Sequence, residues 1–178
     1  MQAFQRAVFA LSRGAANLSA LILVLMVGHI VYEIVLRTFF ASSTFVLDEF
    51  VGYGVAAMSF LALGYTLETG GLIRVNLLLN RLDPHSLTRR AVELFCCVMT
   101  LAAVAVPIWF FGRSMWRHYE GGYTSGTIAD VPAWLPESFV FAGMALFWLQ
   151  LLAHTLRVAA GRADLDATRA ANLGGGVE

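Results

Sequence analysis

Four apolar stretches, residues 15–36, 47–67, 91–111 and 138–158, constrain this chain more than any motif in it. Each has about the 20 residues that an α-helix needs to cross a hydrocarbon layer of about 30 Å. Such stretches leave a 178-residue chain only short connections and tails. The composition agrees, with 58% hydrophobic and 13% charged residues and a mean hydropathy of +0.70, outside the soluble globular range. The expected fold is therefore an all-α integral membrane protein with four transmembrane helices. A single four-helix membrane domain should occupy residues 1–160, with 161–178 a disordered cytoplasmic tail that ends in Gly174, Gly175 and Gly176.

Arg6 and Arg13 ahead of the first stretch imitate a signal peptide, but the stretch outruns the roughly 7 to 15 residues of a signal core. It reads as an uncleaved first span. Ala41, Ser42, Ser43 and Thr44 predict a tight turn, so the first two helices should form an antiparallel hairpin. Between the second and third spans, leucines alternate with Arg74, Asn76, Asn80 and Arg81 in a segment too short and too polar to cross. That pattern predicts an amphipathic helix at about residues 72–82 lying in the headgroup layer, stopped at Asp83 and Pro84. An ordinary loop carrying a few leucines is the plainer alternative. The third connection joins turn residues (Gly121, Gly122, Gly126, Pro132, Pro136) to Trp116, Tyr119, Tyr123 and Trp134, which places it at a water boundary.

All twelve basic residues are arginines. Arg6, Arg13, Arg74, Arg81, Arg89, Arg90, Arg157, Arg162 and Arg169 fall on one side of the expected topology, and Arg37, Arg113 and Arg117 on the other. The positive-inside bias puts both termini in the cytoplasm. A formal net charge of zero gives no basic face for nucleic acid. Cys96 and Cys97 are adjacent within an apolar run and read as core thiols, because neighbouring Cα atoms are too close for ordinary bridge geometry.

Within the spans, His29, Glu33 and Arg37 follow one another at i, i+4 and i+8 and form a stripe on helix one. Three readings are open: a local Glu33–Arg37 pair with His29 bonded inside the bundle, a polar seam against a partner subunit, or a proton or ion relay. Helix two opens on Asp48 and Glu49 and continues through Gly52 and Ala56, a small-xxx-small step that lets another backbone approach. Packing inside the bundle explains the same step. His29, Glu33, Asp48, Glu49, Gly52 and Ala56 are the candidate partner-subunit surface. Arg74, Arg81 and Arg157 are the candidate contacts to lipid headgroups, Arg157 by extending from the end of helix four. Pro107 should kink helix three.

Two axial histidines on different spans could hold a b-type haem, but depth argues against it here. His29 lies about 20 Å from the cytoplasmic end of its helix and His154 about 6 Å from the same face, at 1.5 Å per residue. No cofactor, no metal and no enzyme activity is expected: Ser/His/Asp sets, phosphate loops and zinc spacings are lacking. A self-sufficient secondary transporter would carry a dense polar cluster at the midplane or an inverted repeat. Four spans without either point to a subunit that works with partners. A redox-complex anchor and a small channel or exporter are the competing classes.

The chain resembles the small membrane subunit of the tripartite ATP-independent periplasmic (TRAP) transporters over most of residues 10–160. Asp48, Glu49 and Phe50, leading through Leu63 and Gly64 to the run from Gly70 to Leu78, carry the likeness. So do Gly126, then Val131, Pro132, Ala133 and Trp134, then Pro136. At Glu68, Leu72 and Asn76 the chain departs from the basic residue, histidine and aspartate that are common in relatives, so no contact is carried over to those positions. The resemblance implies a helper subunit in a bacterial inner membrane. It would pack on a large membrane subunit that holds the sodium and solute sites, while a periplasmic solute-binding protein delivers an organic acid. Membrane lipids are the remaining expected partner.

Overall fold

The computed structural model describes residues 2–70 and 87–160, which form four helices: α1 (Gln2–Phe40), α2 (Leu47–Glu68), α3 (Leu87–Gly121) and α4 (Trp134–Ala159). All four are long and apolar enough to cross a membrane, and among the described residues an isolated bridge between Thr124 and Pro132 is the only β-type pairing. The chain is thus an all-α membrane protein with four spans. The amphipathic helix expected at 72–82, with Arg74 and Arg81, and the tail 161–178 lie outside the described residues.

Each helix contains its expected apolar stretch, and two run well beyond it. At 1.5 Å per residue the 39 residues of α1 and the 35 of α3 reach about 58 and 52 Å. Both lengths exceed a hydrocarbon layer of about 30 Å. α3 continues as one helix through Pro107.

The stops have local causes. Past Phe40, Ala41 takes φ 46° and Phe45 φ 60°, left-handed conformations that turn the chain and cannot propagate a right-handed helix. Asp48 and Glu49 fill the first turn of α2, where carboxylates favour the exposed N–H groups and the helix dipole. α2 ends at Thr69 and at Gly70, with φ 73°. α3 ends at Gly122, with φ 61°, whose N–H bonds the Tyr119 carbonyl at 3.4 Å. Pro136 sits in the first turn of α4, where a missing N–H costs nothing.

α2 and α4 make the centre, α1 packs on both, and α3 packs on α4 without comparable contact to α1 or α2. The buried residues of α2 (Ala57, Leu61, Gly64 and Leu67) recur at three- and four-residue spacing, so one stripe faces inward. Gly143 sets the α2–α4 crossing: a Cβ there would lie 2.5 Å from the Phe60 carbonyl carbon and 2.6 Å from its oxygen. Gly64 does the same towards α1, where a Cβ would meet the Ser12 hydroxyl at 2.9 Å. Backbones come this close only where side chains are absent. Outward, α1 presents Leu21, Val24 and Leu25, and α3 presents Phe95, Trp109 and Phe110, all exposed. Such a surface suits hydrocarbon and would aggregate in water.

Candidate functional site

The two connections between paired helices, α1–α2 and α3–α4, lie at one end of the bundle, here the hairpin end. The start of α1 and the end of α4 lie at the other, the terminal end. Polar side chains within the spans gather at these two ends and tie helices together.

At the hairpin end Glu33 is buried, 1% exposed. Its carboxylate accepts from the Arg37 Nε at 2.9 Å, the Thr44 N–H at 3.2 Å, the Thr44 hydroxyl at 2.7 Å and the Ser43 hydroxyl. The α1–α2 turn is folded back over this one side chain. Four donors saturate a carboxylate, which is how an acid is tolerated away from water. The polar stripe expected on helix one is therefore split: Glu33 and Arg37 form the local pair, while His29 sits half-buried with its ring 6.1 Å from the Phe50 ring, centroid to centroid. The His29 Nε2 is buried without a hydrogen-bond partner.

Glu49 makes a second tie. It accepts from the Tyr53 hydroxyl at 2.7 Å and from the Thr127 hydroxyl, joining α2 to the ordered lobe between α3 and α4. That lobe is held by the Ser125 N–H to the Val131 carbonyl at 2.8 Å and the Ala133 N–H to the Tyr123 carbonyl at 3.0 Å, and it exposes Ile128 at its tip. Glu137 on α4 accepts from Ser114 at 3.0 Å and meets His118 Nδ1 at 2.9 Å, both on α3. Asp48 is exposed and takes no part in the ion pairs among the described residues. Gly52 is exposed too, with nothing within 4 Å of a Cβ built on it, and Ala56 is half-buried beside it. These three lie on the face of α2 turned away from Ala57, Leu61 and Gly64.

At the terminal end Arg157, expected to extend towards lipid phosphates, is turned instead to Glu68, with 2.8 Å contacts to both carboxylate oxygens. The Gln150 amide, 1% exposed, donates to the same carboxylate. Pairing explains the difference, since the Arg157 Nη2 reaches both oxygens of a half-buried acid, a charge-assisted contact that headgroups would have to displace. Arg90 from the start of α3 donates to the Val158 carbonyl at 3.1 Å and to that of Ala159, covering the acceptors that end α4. The Trp148 indole donates to the Leu101 carbonyl at 3.1 Å, and the Ser19 hydroxyl to that of Met58 at 2.7 Å. Sequence reasoning missed the Glu68–Arg157–Gln150 junction. Its one signal was an acid at the end of an apolar helix, a group that needs a cation.

Beside the second tie lies an apolar groove of about 490 Å³ between α1, α2 and the start of α4, reached by Met26, His29, Tyr53, Ala57, Leu135 and Phe139. Among the described residues no three His, Cys, Asp or Glu side chains are placed to hold a metal. The carboxylates of Glu33, Glu49, Glu68 and Glu137 are engaged by donors within the chain.

Comparison with protein families matches residues 26–161 to the DctQ component of tripartite ATP-independent periplasmic transporters. Comparisons with curated proteins and with solved structures give no match.

Proposed function

We propose a scaffolding role from one premise: the chain belongs to the DctQ component family of tripartite ATP-independent periplasmic transporters, and is a small membrane subunit of such a transporter. In this reading it holds a larger, sodium-coupled subunit in a bacterial inner membrane, both of its own termini cytoplasmic, while a solute-binding protein delivers an organic acid. The single observation that carries the reading is how the polar groups of the spans are used. Glu33, Glu49, Glu68, Gln150 and Arg157 spend their hydrogen bonds tying this chain's own helices and connections. A subunit that moved a solute or an ion would have to point such groups at a passage. This one is built as a stiff frame with an apolar exterior.

Asp48, Gly52 and Ala56 are the proposed contact for the larger subunit, a patch where a second helix can approach closely. His29 lies at the neighbouring groove, and Glu33 and Glu49 act indirectly by fixing the turn and the lobe on either side. Arg74 and Arg81 are the proposed headgroup contacts.

Reconstitution tests the role. The chain alone in liposomes should move no organic acid under a sodium gradient, and the larger subunit with its binding protein should do so only when this chain is added. Uptake by the chain alone, or full uptake without it, would remove the proposal.

A further inference from the structure

The groove at the hairpin end joins two features that belong together chemically, an apolar recess and an acid at its mouth. Its walls are Leu25, Met26, Val51, Ala57, Leu135 and Phe139. Ile22 and His29, both in the α1 wall, are seven residues apart, a depth of about 10 Å. One leaflet contributes about 15 Å of hydrocarbon, so the recess is shorter than one leaflet is thick. The buried His29 Nε2 is out of reach of an occupant, which leaves the interior suited to hydrocarbon.

Glu49 adjoins the mouth, one hydrogen bond behind the wall residue Tyr53. Tyr53 lines the groove and gives its hydroxyl to Glu49, while Val131, another wall residue, belongs to the lobe whose Thr127 bonds the same carboxylate. Both donors are neutral hydroxyls. Neither Glu49 nor its neighbour Asp48 takes part in an ion pair among the described residues, and Arg37, the nearest basic residue in sequence, is engaged by Glu33 and Ser43. Among the described residues the Glu49 carboxylate is thus met by hydroxyls and by no ion pair, and the complement is a cation carried on an apolar tail.

Size decides between a lipid and a protein helix. A helix is about 10–12 Å across, so even a 15 Å length of one occupies on the order of 1,200 Å³. The groove offers about 490 Å³, within the roughly 300–1,000 Å³ of single small-ligand sites. We propose that the groove holds one acyl chain of an aminophospholipid whose ammonium group binds the Glu49 carboxylate. The lipid wedges between α1 and the start of α4, both of which line the groove. The site stands on the groove and its carboxylate, whichever subunit adjoins the chain.

Native mass spectrometry of the full chain in detergent, titrated with phosphatidylethanolamine or phosphatidylglycerol of identical acyl chains, tests the site. The wild-type chain should retain the ethanolamine lipid roughly tenfold better than the glycerol lipid. Glu49→Gln keeps the side chain's length and one acceptor oxygen, with its NH2 facing the second hydroxyl, and should abolish that preference while lipid still binds. Leu25→Trp, at the exposed rim, should fill the groove and reduce retention of both. Equal retention of the two lipids by the wild-type chain would overturn the proposal, as would an unchanged preference in Glu49→Gln. So would a photoreactive residue at position 25 that cross-links, in native membranes, to a larger protein instead of to lipid.

Discussion

Glu33 illustrates how a carboxylate near a membrane boundary becomes a structural centre. It is reached by the hydroxyls of Ser43 and Thr44, a backbone N–H and Arg37, so removing it strands four donors at once. Arg37 is 58% exposed, and water can replace both of its partners, Glu33 and Ser43. Glu33→Ala is therefore expected to lower the thermal midpoint of the purified protein clearly more than Arg37→Ala, because a saturated buried network is costly to break and an exposed pair contributes little. Thermal unfolding followed by tryptophan fluorescence in detergent checks the order, and equal midpoints would contradict it. The i, i+4 spacing made the Glu33–Arg37 pair legible in the sequence. Ser43 and Thr44 were legible only as turn formers, because their contact with Glu33 goes with left-handed backbone at Ala41 and Phe45, residue types that rarely adopt it. Arg157 was legible by its helix-end position only as a lipid contact, because its partner Glu68 is 89 positions away.

Among the elements, α2 decides the architecture, and its small residues divide between two faces. Gly54 and Gly64 meet α1 at Met26 and Ser12, whereas Gly52 meets nothing within the chain. On α4, Gly143 lies against the α2 backbone at Phe60. Gly143→Ala should cost about 1–3 kcal/mol of stability, since the added methyl must push two backbones apart. Gly52→Ala should change the isolated chain by less than about 0.5 kcal/mol yet reduce the yield of complex with the larger subunit. Unfolding midpoints and complex yields, measured on the same two variants, separate packing inside the chain from packing outside it. A destabilised Gly52→Ala with normal complex yield would reverse the assignment. Sequence periodicity showed that α2 could pack closely but not against what, because a small-xxx-small step has the same appearance on either face. The four helices themselves were legible from hydropathy alone, since in hydrocarbon every backbone group must be satisfied within the segment.

At the scale of the whole molecule, α3 leans on α4 alone and the apolar exteriors of α1 and α3 remain uncovered. Polar ties close both ends: Glu49–Thr127 and Glu137–His118 at the hairpin end, Glu68–Arg157 and Arg90 with the end of α4 at the other. Between them the buried residues are mostly apolar, with Ser19 and Trp148 bonding carbonyls of neighbouring helices, a frame pinned top and bottom. Such a frame gives a moving neighbour something fixed to work against, and DctQ family membership over residues 26–161 says which kind of neighbour to look for. The most direct test is affinity purification of the tagged chain from its native membranes in mild detergent. The account predicts that one larger, many-span membrane protein comes down with it in fixed proportion, and less of it with Gly52→Ala. A chain that purifies alone from membranes in which the larger subunit is present would contradict the account.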